Sequence, residues 1–346
     1  MRNLLLTLLL LVTIHLNSVH AQDVFKIAIV NENFSADSNI DWFQERVVEE
    51  IKSLLHNRVE VEVEVHYGAY DPAKMLADFE KIYSNAEVDL VISLGSMASG
   101  YLAQIKNYAK PSIAGIIIDP ELQNVKKTDE GTSGTPNFTY VQSPFNVTRD
   151  LEKLYRLRPY KKVAVFGGSN LNTYFPFLKN LVNGKVNELG AESQILPYQG
   201  AVEKTIQTIS EDTDAVYLLP IFDEMTPVEL KEFFQKINEK GLPTMALLGE
   251  LYVNQGAMMG FEADANLQRM PRRIALNVLK IFEGQQPENL PVEIPTYNET
   301  LLINMATAKA TGVYPDFDLM SEAILLNVNY SETGRNLSLK SAIAEA

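Results

Sequence analysis

The sequence contains no cysteine, one tryptophan and four histidines among its 346 residues. Without cysteine the chain can form neither disulfide bonds nor thiolate metal sites, and a core of this size needs no such cross-links. Basic residues are also scarce, with 30 Lys and Arg against 44 Asp and Glu, and no basic patch stands apart, which argues against a nucleic-acid partner. The hydrophobic fraction of 46% excludes intrinsic disorder and predicts a globular protein.

The chain has no apolar run of the roughly 20 residues that cross a bilayer. Its apolar stretch at 4–14 follows one basic residue, Arg2, and precedes the small side chains Val19 and Ala21. This pattern predicts a secretory signal peptide at 1–21, cut before Gln22. Because the sequence offers no cysteine for a thioether lipid anchor, we expect a soluble mature protein in the periplasm.

Residues that usually carry catalysis or bind metals form no recognisable motif. Once the predicted signal is removed, His56 and His66 remain, and neither has a second histidine at ligand spacing. No nucleophile elbow, dinucleotide fingerprint or phosphate-binding loop occurs. The segment 37–41 begins like a calcium loop, but Trp42 stands where that loop requires glycine, so we interpret it as a helix cap. We therefore expect no metal, no cofactor and no enzymatic activity.

Strand-like and helix-like segments alternate along the chain, and the second half repeats the order of the first. Such alternation predicts right-handed crossovers and mostly parallel sheets. The predicted fold class is α/β, with two doubly wound Rossmann-like lobes. The predicted strands are 26–30, 59–67, 88–94, 111–118, 162–166, 192–197, 215–219 and 244–248, and the predicted helices are 41–55, 72–83, 97–107, 173–189, 202–209 and 226–239.

Further segments suggest that the chain passes between the lobes more than once. The stretch 125–143 is rich in Thr, Gly, Ser and Asn and is interpreted as a loop and crossover segment. A helix at 267–283 and a strand at 301–304 follow the second set of elements. The predicted domains are a first lobe at 22–142 plus about 262–290, a second lobe at 143–261 plus about 291–316, and at 317–346 a C-terminal tail or the start of a truncated following domain.

Small polar residues follow two of the predicted strands, at 95–99 and at 167–170. Open parallel sheets bind ligands beyond the carboxyl ends of their strands, where the next helix offers free amide donors. The turn at Ser96 therefore predicts a site for an anion such as a carboxylate. The alternative interpretation of the same turn is ordinary helix capping by the Ser96 hydroxyl.

The ordered set of these segments resembles the periplasmic solute-binding proteins of ABC importers, in the group related to tryptophan- and tyrosine-binding proteins. The resemblance covers about 25–313 and is carried by ISLGSMA (92–98), KKVAVFGGSN (161–170) and AVYLLP (215–220). Further pieces follow in the family's order, at 241–244, 255–260, 291–293 and 303–309. The resemblance implies two lobes of the type I periplasmic binding fold that close on a small ligand by a hinge. It also implies a monomer that performs no chemistry and delivers its ligand to an inner-membrane permease.

Carried onto this chain, the resemblance implies a ligand pocket lined by both lobes. Amides near Ser96 would hold a carboxylate, and Asp223 or Glu250 would pair with an ammonium group, which suits an amino-acid-like ligand. The chain departs from the family pattern at 221–225 and 248–250. The candidate ligand-binding residues are Ser96, Met97, Ser99, Ser169, Asn170, Phe222, Asp223, Glu250, Phe34 and Tyr70.

A second, shorter resemblance lies at 337–346, which is similar to the start of outer-membrane efflux channels of the TolC type. The other interpretation of this segment is an amphipathic terminal helix. If the efflux resemblance holds, the chain is a ligand-sensing or adaptor domain of a longer efflux fusion protein, and its partner is an efflux assembly. The principal prediction is a periplasmic solute-binding protein of an ABC transport system.

Overall fold

The structure is a computed structural model that describes residues 24–33, 42–120, 123–169, 176–221, 224–262, 264–294 and 300–328. The chain folds into two compact units, each assembled from three separate stretches of sequence. Lobe 1 comprises Met1–Ile116, Lys127–Val141 and Pro271–Val292, and lobe 2 comprises Ile117–Lys126, Gln142–Met270 and Glu293–Ala346. These bounds differ from the predicted ones chiefly at 117–126 and 262–270, both of which belong to lobe 2.

Lobe 1 is built on a five-stranded sheet with the order β2-β1-β3-β4-β5. The pairs β1–β2, β1–β3 and β3–β4 are parallel, as the alternation of strands and helices predicts. Asn31 at the end of β1 lies opposite both Tyr67 of β2 and Leu94 of β3, so these three strands end level with one another. The strands are β1 Val24–Asn31, β2 Glu60–Tyr67, β3 Leu90–Leu94, β4 Ser112–Ile117 and β5 Phe138–Gln142.

Burial explains the two kinds of strand sequence in lobe 1. The apolar residues Ile27 to Val30 of the inner strand β1 are fully buried, since helices cover inner strands on both faces. The edge strand β2 alternates exposed glutamates with partly buried valines, as its period of two predicts. The lobe 1 helices are α1 Trp42–Leu55, α2 Pro72–Ser84 and α3 Ser96–Ala103.

The segment 125–143 is not only a loop. Its last part forms β5, Phe138–Gln142, whose first four residues are buried. The prediction of a loop throughout this segment was wrong because the Thr, Gly and Ser residues before Phe138 dominate its composition. A strand of five residues adds too little periodic signal to stand out beside them.

Lobe 2 is built on a seven-stranded sheet with the order β12-β11-β10-β9-β8-β6-β7. Neighbouring strands are parallel except β10 and β11, which are antiparallel. The strands are β6 Lys162–Gly167, β7 Glu192–Pro197, β8 Ala215–Leu218, β9 Thr244–Ala246, β10 Met259–Phe261, β11 Leu301–Asn304 and β12 Ala323–Leu326. The helices that follow α3 along the chain are α4 Val147–Leu157, α5 Pro176–Glu188, α6 Val202–Ile206, α7 Pro227–Glu239, α8 Glu250–Val253, α9 Asp264–Phe282, α10 Met305–Thr311 and α11 Phe317–Glu322.

Residues 317–326 form α11 and β12 of lobe 2, so this part of the predicted tail or following domain belongs to the lobe 2 sheet. Strand β12 pairs in parallel with β11, and Leu319 of α11 is fully buried. Glu322 forms ion pairs with Lys153 and Arg156 of α4. These residues complete the edge of the lobe 2 sheet.

Two sequence predictions concern the ends of the chain and lie outside the described residues. They are the signal peptide at 1–21 and the efflux-channel resemblance at 337–346. In the part of the chain that the structure describes, no helix combines the length and apolarity needed to cross a membrane.

Candidate functional site

Three turns meet at the carboxyl ends of the lobe 1 strands, and we call this region the lobe 1 edge. They are 31–33 after β1, 68–70 after β2 and 95–99 after β3. Backbone hydrogen bonds join them, because the Glu32 amide donates to Leu94 O at 3.2 Å and the Tyr70 amide donates to Glu32 O at 2.7 Å. The level ends of parallel strands thus bring three polar turns together, as the general rule for such sheets requires.

Two residues of the turn after β2 have a left-handed backbone. Ala69 has φ 53° and Tyr70 has φ 51°, and such a conformation costs a non-glycine residue about 1–3 kcal/mol. The Tyr70 hydroxyl donates to Asn33 Oδ1 at 2.9 Å, and this contact holds the ring beside the turn. Strained backbone of this kind clusters at ligand-binding sites.

A buried amide network supports the same edge. Asn31 donates through Nδ2 to Gln44 Oε1 at 2.7 Å, and Gln44 donates through Nε2 to the Tyr67 hydroxyl at 3.0 Å. Asn31 Oδ1 also accepts from the Asn33 amide at 3.0 Å. Hydrogen bonds linked in series fix the position of the turn after β1.

The start of α3 is occupied by a carboxylate from the chain itself. Glu32 Oε2 accepts from the amides of Met97 at 2.7 Å and Ala98 at 3.2 Å. The N-cap residue is Gly95, and no side chain within the turn caps the helix. A Cβ at Gly95 would lie 2.0 Å from Glu32 Cδ, so only glycine leaves room for this carboxylate. Glu32 therefore caps α3. The sequence alone predicts either a bound anion or the Ser96 hydroxyl in this place.

The environment of Glu32 shifts its proton equilibrium. Burial raises the pKa of Glu32 to about 7 from 4.5, and hydrogen bonds from the amides of Met97, Ala98 and Ser96 offset only part of this effect. The residue as a whole is partly exposed, whereas its carboxylate is enclosed by the lobe 1 edge. The enclosure of the carboxylate decides its titration, because desolvation acts on the charged atoms.

Met97 and Ser99 do not present their side chains at this edge. Met97 is buried in the core of lobe 1. Ser99 is also buried, and its Oγ accepts from Ser93 Oγ and from the Ile116 amide, both at 3.1 Å. Both side chains therefore lie in the interior of lobe 1 and not at the surface of the lobe 1 edge. Ser96 and Tyr70 remain partly exposed, and Phe34 lies outside the described residues.

Turns at the carboxyl ends of β6, β8 and β9 form the corresponding region of lobe 2, the lobe 2 edge. The exposed Ser169 follows β6, and its amide donates to both carboxylate oxygens of Glu224, at 3.0 and 2.8 Å. A Cβ at Gly168 would lie 2.5 Å from Glu224 Oε1. The second polar turn singled out from the sequence thus also holds an internal carboxylate.

Glu250 begins α8 directly after a tightly packed glycine. Gly249 has φ 47°, and a Cβ there would lie 1.6 Å from Phe261 O. The Tyr252 hydroxyl in the same helix accepts from the Ile221 amide at 3.1 Å and so ties α8 to the turn after β8. Glu250 itself is partly exposed. The other lobe 2 candidates, Asn170, Phe222 and Asp223, lie outside the described residues.

A further cluster in lobe 2 was not expected from the sequence. The guanidinium carbon of Arg149 lies 3.5 Å from the ring centre of Phe261, at the end of β10. The guanidinium also donates to Asp150 Oδ1, and Asp150 Oδ2 accepts from the Tyr217 hydroxyl at 3.1 Å. Burial raises the pKa of Tyr217, so this hydroxyl stays protonated as the donor.

Sequence reasoning missed Glu32 and Glu224 for different reasons. Glu32 directly follows β1, so it could have been found by inspecting the residue after every predicted strand. Glu224 lies within 221–225, a segment already recognised as departing from the family pattern. The Arg149–Phe261 contact joins residues far apart in the chain and leaves no local signal. No group of three or more His, Cys, Asp or Glu suited to a metal occurs in the described ranges.

Comparison with protein-family models found no match, and none of the curated proteins matched either. Solved structures do match. An ABC domain from Streptococcus pneumoniae in complex with L-Trp has a TM-score of 0.62 at 16% identity, and the match covers 88% of this chain and 99% of that one. A conserved domain protein from Vibrio cholerae has a TM-score of 0.61 at 17% identity with the same coverage. A leucine binding protein from Thermotoga maritima has a TM-score of 0.52 at 15% identity over 75% of this chain and 83% of that one.

These likenesses define the class of fold. The protein has the type I periplasmic binding protein fold, with a doubly wound α/β sheet in each of two lobes. The predicted fold class and the resemblance to binding proteins of ABC systems are thereby confirmed.

Proposed function

We propose that this protein is a solute-binding protein of an ABC transport system that captures a small ligand with its two lobes. The observation that carries this proposal is the fold likeness to an L-Trp-bound ABC domain, which extends over 88% of the chain. Polar turns at the carboxyl ends of the strands in both lobes support it, because ligands of such sheets bind there. In this role the protein binds and releases its ligand unchanged and is not an enzyme.

We propose an amino acid or a close derivative as the ligand. The matched structures include one bound to L-Trp and one called a leucine binding protein. An ammonium group would pair with Asp223 or Glu250, and the rings of Phe34, Tyr70 and Phe222 would form an apolar wall. Ser96, Ser169 and Asn170 would supply further polar contacts.

Native mass spectrometry of the gently purified protein tests the central proposal. A bound ligand should appear as an adduct that partial unfolding and dialysis remove, and its mass should be that of an unmodified metabolite. Adding it back should raise the melting temperature in proportion to the logarithm of its concentration above Kd. A protein that carries no adduct and whose melting temperature ignores amino acids and other small metabolites would contradict the proposal.

The pocket assignment is tested with Asp223→Asn and Glu250→Gln. Loss of a charge-assisted hydrogen bond to an ammonium group should weaken ligand binding about 10- to 100-fold, measured by calorimetry. Glu87→Gln is the matched control, because Glu87 pairs with Lys26 before β3, at the other end of the strands. Unchanged affinity in both pocket variants would remove these residues from the site.

Export and partner are proposed together with binding. The mature protein should begin at Gln22, and its intact mass checks the cut. We propose that it acts in the periplasm as a monomer and docks on an inner-membrane permease. Crosslinking in intact cells should recover that permease, whereas recovery of an outer-membrane channel would favour the efflux alternative.

A further inference from the structure

We propose that Glu32 is a specificity-determining residue whose carboxylate occupies the amide site at the start of α3, so that lobe 1 rejects a ligand carboxylate there. The ligand would then present an uncharged or cationic group to the lobe 1 edge. This inference rests on the proposed solute-binding function and narrows its ligand class from amino acids in general to compounds without a free carboxylate at that position.

The geometry at α3 leaves no vacant anion site. One oxygen of Glu32 accepts from two successive amides, at 2.7 and 3.2 Å, which is how a helix start would hold a ligand carboxylate. The Glu32 amide is fixed on Leu94 O and its carbonyl on the Tyr70 amide, so the residue is anchored on both sides of its side chain. The carboxylate lies against Gly95, where a Cβ would be 2.3 Å from Glu32 Oε2.

The second lobe repeats the arrangement with unrelated residues. Glu224 places its carboxylate on the Ser169 amide, again beside a glycine, Gly168, at which a Cβ would collide with it. The two polar turns that the sequence singles out thus each contain a glutamate from another part of the same lobe. A ligand carboxylate approaching either turn would meet a like charge instead of amide donors, and the repulsion is stronger at the enclosed Glu32 than at the exposed Ser169 turn.

Chemical rescue of Glu32→Ala tests the inference without knowledge of the ligand. Removing the carboxylate leaves the Met97 and Ala98 amides without their acceptor, which should lower the melting temperature by about 3–8 °C. At pH 8 and constant ionic strength, about 50 mM acetate should restore most of this loss, and uncharged acetamide should not. Neither acetate nor acetamide should change the melting temperature of the wild-type protein.

Asp71→Ala is the matched control. Asp71 also holds helix-start amides in lobe 1, those of Ala73 and Lys74, but it does so in an exposed position where water can replace it. Acetate should therefore leave the melting temperature of Asp71→Ala unchanged. Equal rescue of both variants, or stabilisation of the wild type by acetate, would overturn the proposal.

Glu32→Gln covers the case in which Glu32→Ala does not fold. In the wild type, the amide NMR signals of Met97 and Ala98 should shift with pH as the neighbouring carboxylate titrates, and in Glu32→Gln this titration should vanish. Amide signals that ignore pH in the wild type would show that the carboxylate is not on these amides and would end the proposal.

Ligand pairs then test specificity itself. L-tryptophan with L-tryptophanamide, and L-leucine with L-leucinamide, differ only in the carboxylate. The wild type should bind L-tryptophanamide and L-leucinamide at least about 10-fold more tightly than the free amino acids. In Glu32→Gln this ratio of affinities should be smaller. Tighter binding of the free acids would overturn the inference while leaving the solute-binding function intact. If neither form of either pair binds, the solute-binding proposal is weakened and acetate rescue alone decides the role of Glu32.

Discussion

At the scale of single residues, charge burial and glycine packing shape both edges. Enclosure of the Glu32 carboxylate raises its pKa to about 7. Gly95 and Gly168 have no side chain, and a carboxylate occupies the space beside each of them. Gly249 approaches the backbone of β10 so closely that no other residue fits. Each of these properties belongs to one residue and can be tested by one substitution.

Glu32 should make folding stability depend on pH. Since its pKa is raised to about 7 in the folded protein, the folded state binds the proton more tightly than the unfolded chain, whose value is near 4.5. The part of its contribution to stability that is linked to this proton is therefore complete below pH 4.5 and is lost as the pH rises through 7, while the hydrogen bonds that the ionised carboxylate accepts remain. The difference amounts to roughly 1–3 kcal/mol, after allowance for the partial exposure of the residue.

Glu32→Gln should remove this dependence, because glutamine does not ionise. Urea unfolding gives the free energy of unfolding of each protein at pH 5 and at pH 8. From pH 5 to pH 8 this free energy should fall by roughly 1–3 kcal/mol more in the wild type than in the variant. Other titrating groups act equally on both proteins, so the difference isolates Glu32. Identical pH dependence of the two proteins would contradict the enclosed state of this carboxylate.

Gly249→Ala should be among the most destabilising single substitutions in lobe 2. Its Cβ would sit 1.6 Å from Phe261 O at a left-handed φ of 47°, so the turn at Gly249 and β10 must move apart to admit it. We expect a loss of more than about 3 kcal/mol in chemical unfolding. Gly190→Ala is the control, because Gly190 also has positive φ, 74°, but meets nothing within 4 Å. It should cost only about 1–2 kcal/mol.

At the scale of secondary-structure elements, caps and edges decide where each segment begins and ends. Helix α7 starts with a complete capping box, in which Thr226 and Glu229 satisfy each other's backbone amides. Helix α2 starts with Asp71 and Pro72, as its sequence predicts. Helix α3 has no such local cap, and two of its first amides donate to Glu32, which is distant in sequence, so the sequence did not show what caps this helix.

Helix α11 and strand β12, the last two described elements, should stabilise lobe 2. A chain ending at Asp316 loses α11 and β12, and with them the buried Leu319 and the pairing with β11. A chain ending at Val328 keeps all of these. The shorter chain should melt about 5–10 °C lower than the longer one, measured by circular dichroism, because a buried leucine alone contributes about 2–5 kcal/mol.

Equal melting temperatures of the two truncated chains would contradict the assignment of α11 and β12 to the fold. The exposed ion pairs of Glu322 should contribute little to the difference, since such pairs are worth at most about 1 kcal/mol. Glu322→Gln in the longer chain checks this point. Because α11 and β12 belong to lobe 2, a truncation that is meant to test the role of residues 329–346 alone should end the chain at Val328.

At the scale of the whole molecule, each lobe depends on distant parts of the chain. Lobe 1 includes Pro271–Val292, which follows most of lobe 2 in sequence. Ile274 and Val278 of this stretch are fully buried, and the Val292 amide donates to Gly131 O at 2.9 Å. The five strands of lobe 1 therefore lack part of their core until α9 has been made.

A fragment of residues 22–142 should consequently fail to fold, although it contains every strand of the lobe 1 sheet. A matched fragment in which a short Gly/Ser linker joins 22–142 to 271–292 should show a cooperative thermal transition and dispersed amide NMR signals. Trp42, the single tryptophan, reports on this lobe by fluorescence. Cooperative folding of the shorter fragment would show that α9 is dispensable.

The sequence by itself determined the order and type of most elements and the class of fold. Hydrophobic periodicity placed β7 and β11 at their observed bounds, and the Asp-Pro pair placed the start of α2, because these signals are local. The short strand β5 and the pairing of β12 with β11 were missed, because their stability comes from neighbours distant in sequence. Only the tertiary structure decided that Glu32 and Glu224 lie on the two predicted polar turns, since those contacts form when the sheet brings turns that are separate in sequence together.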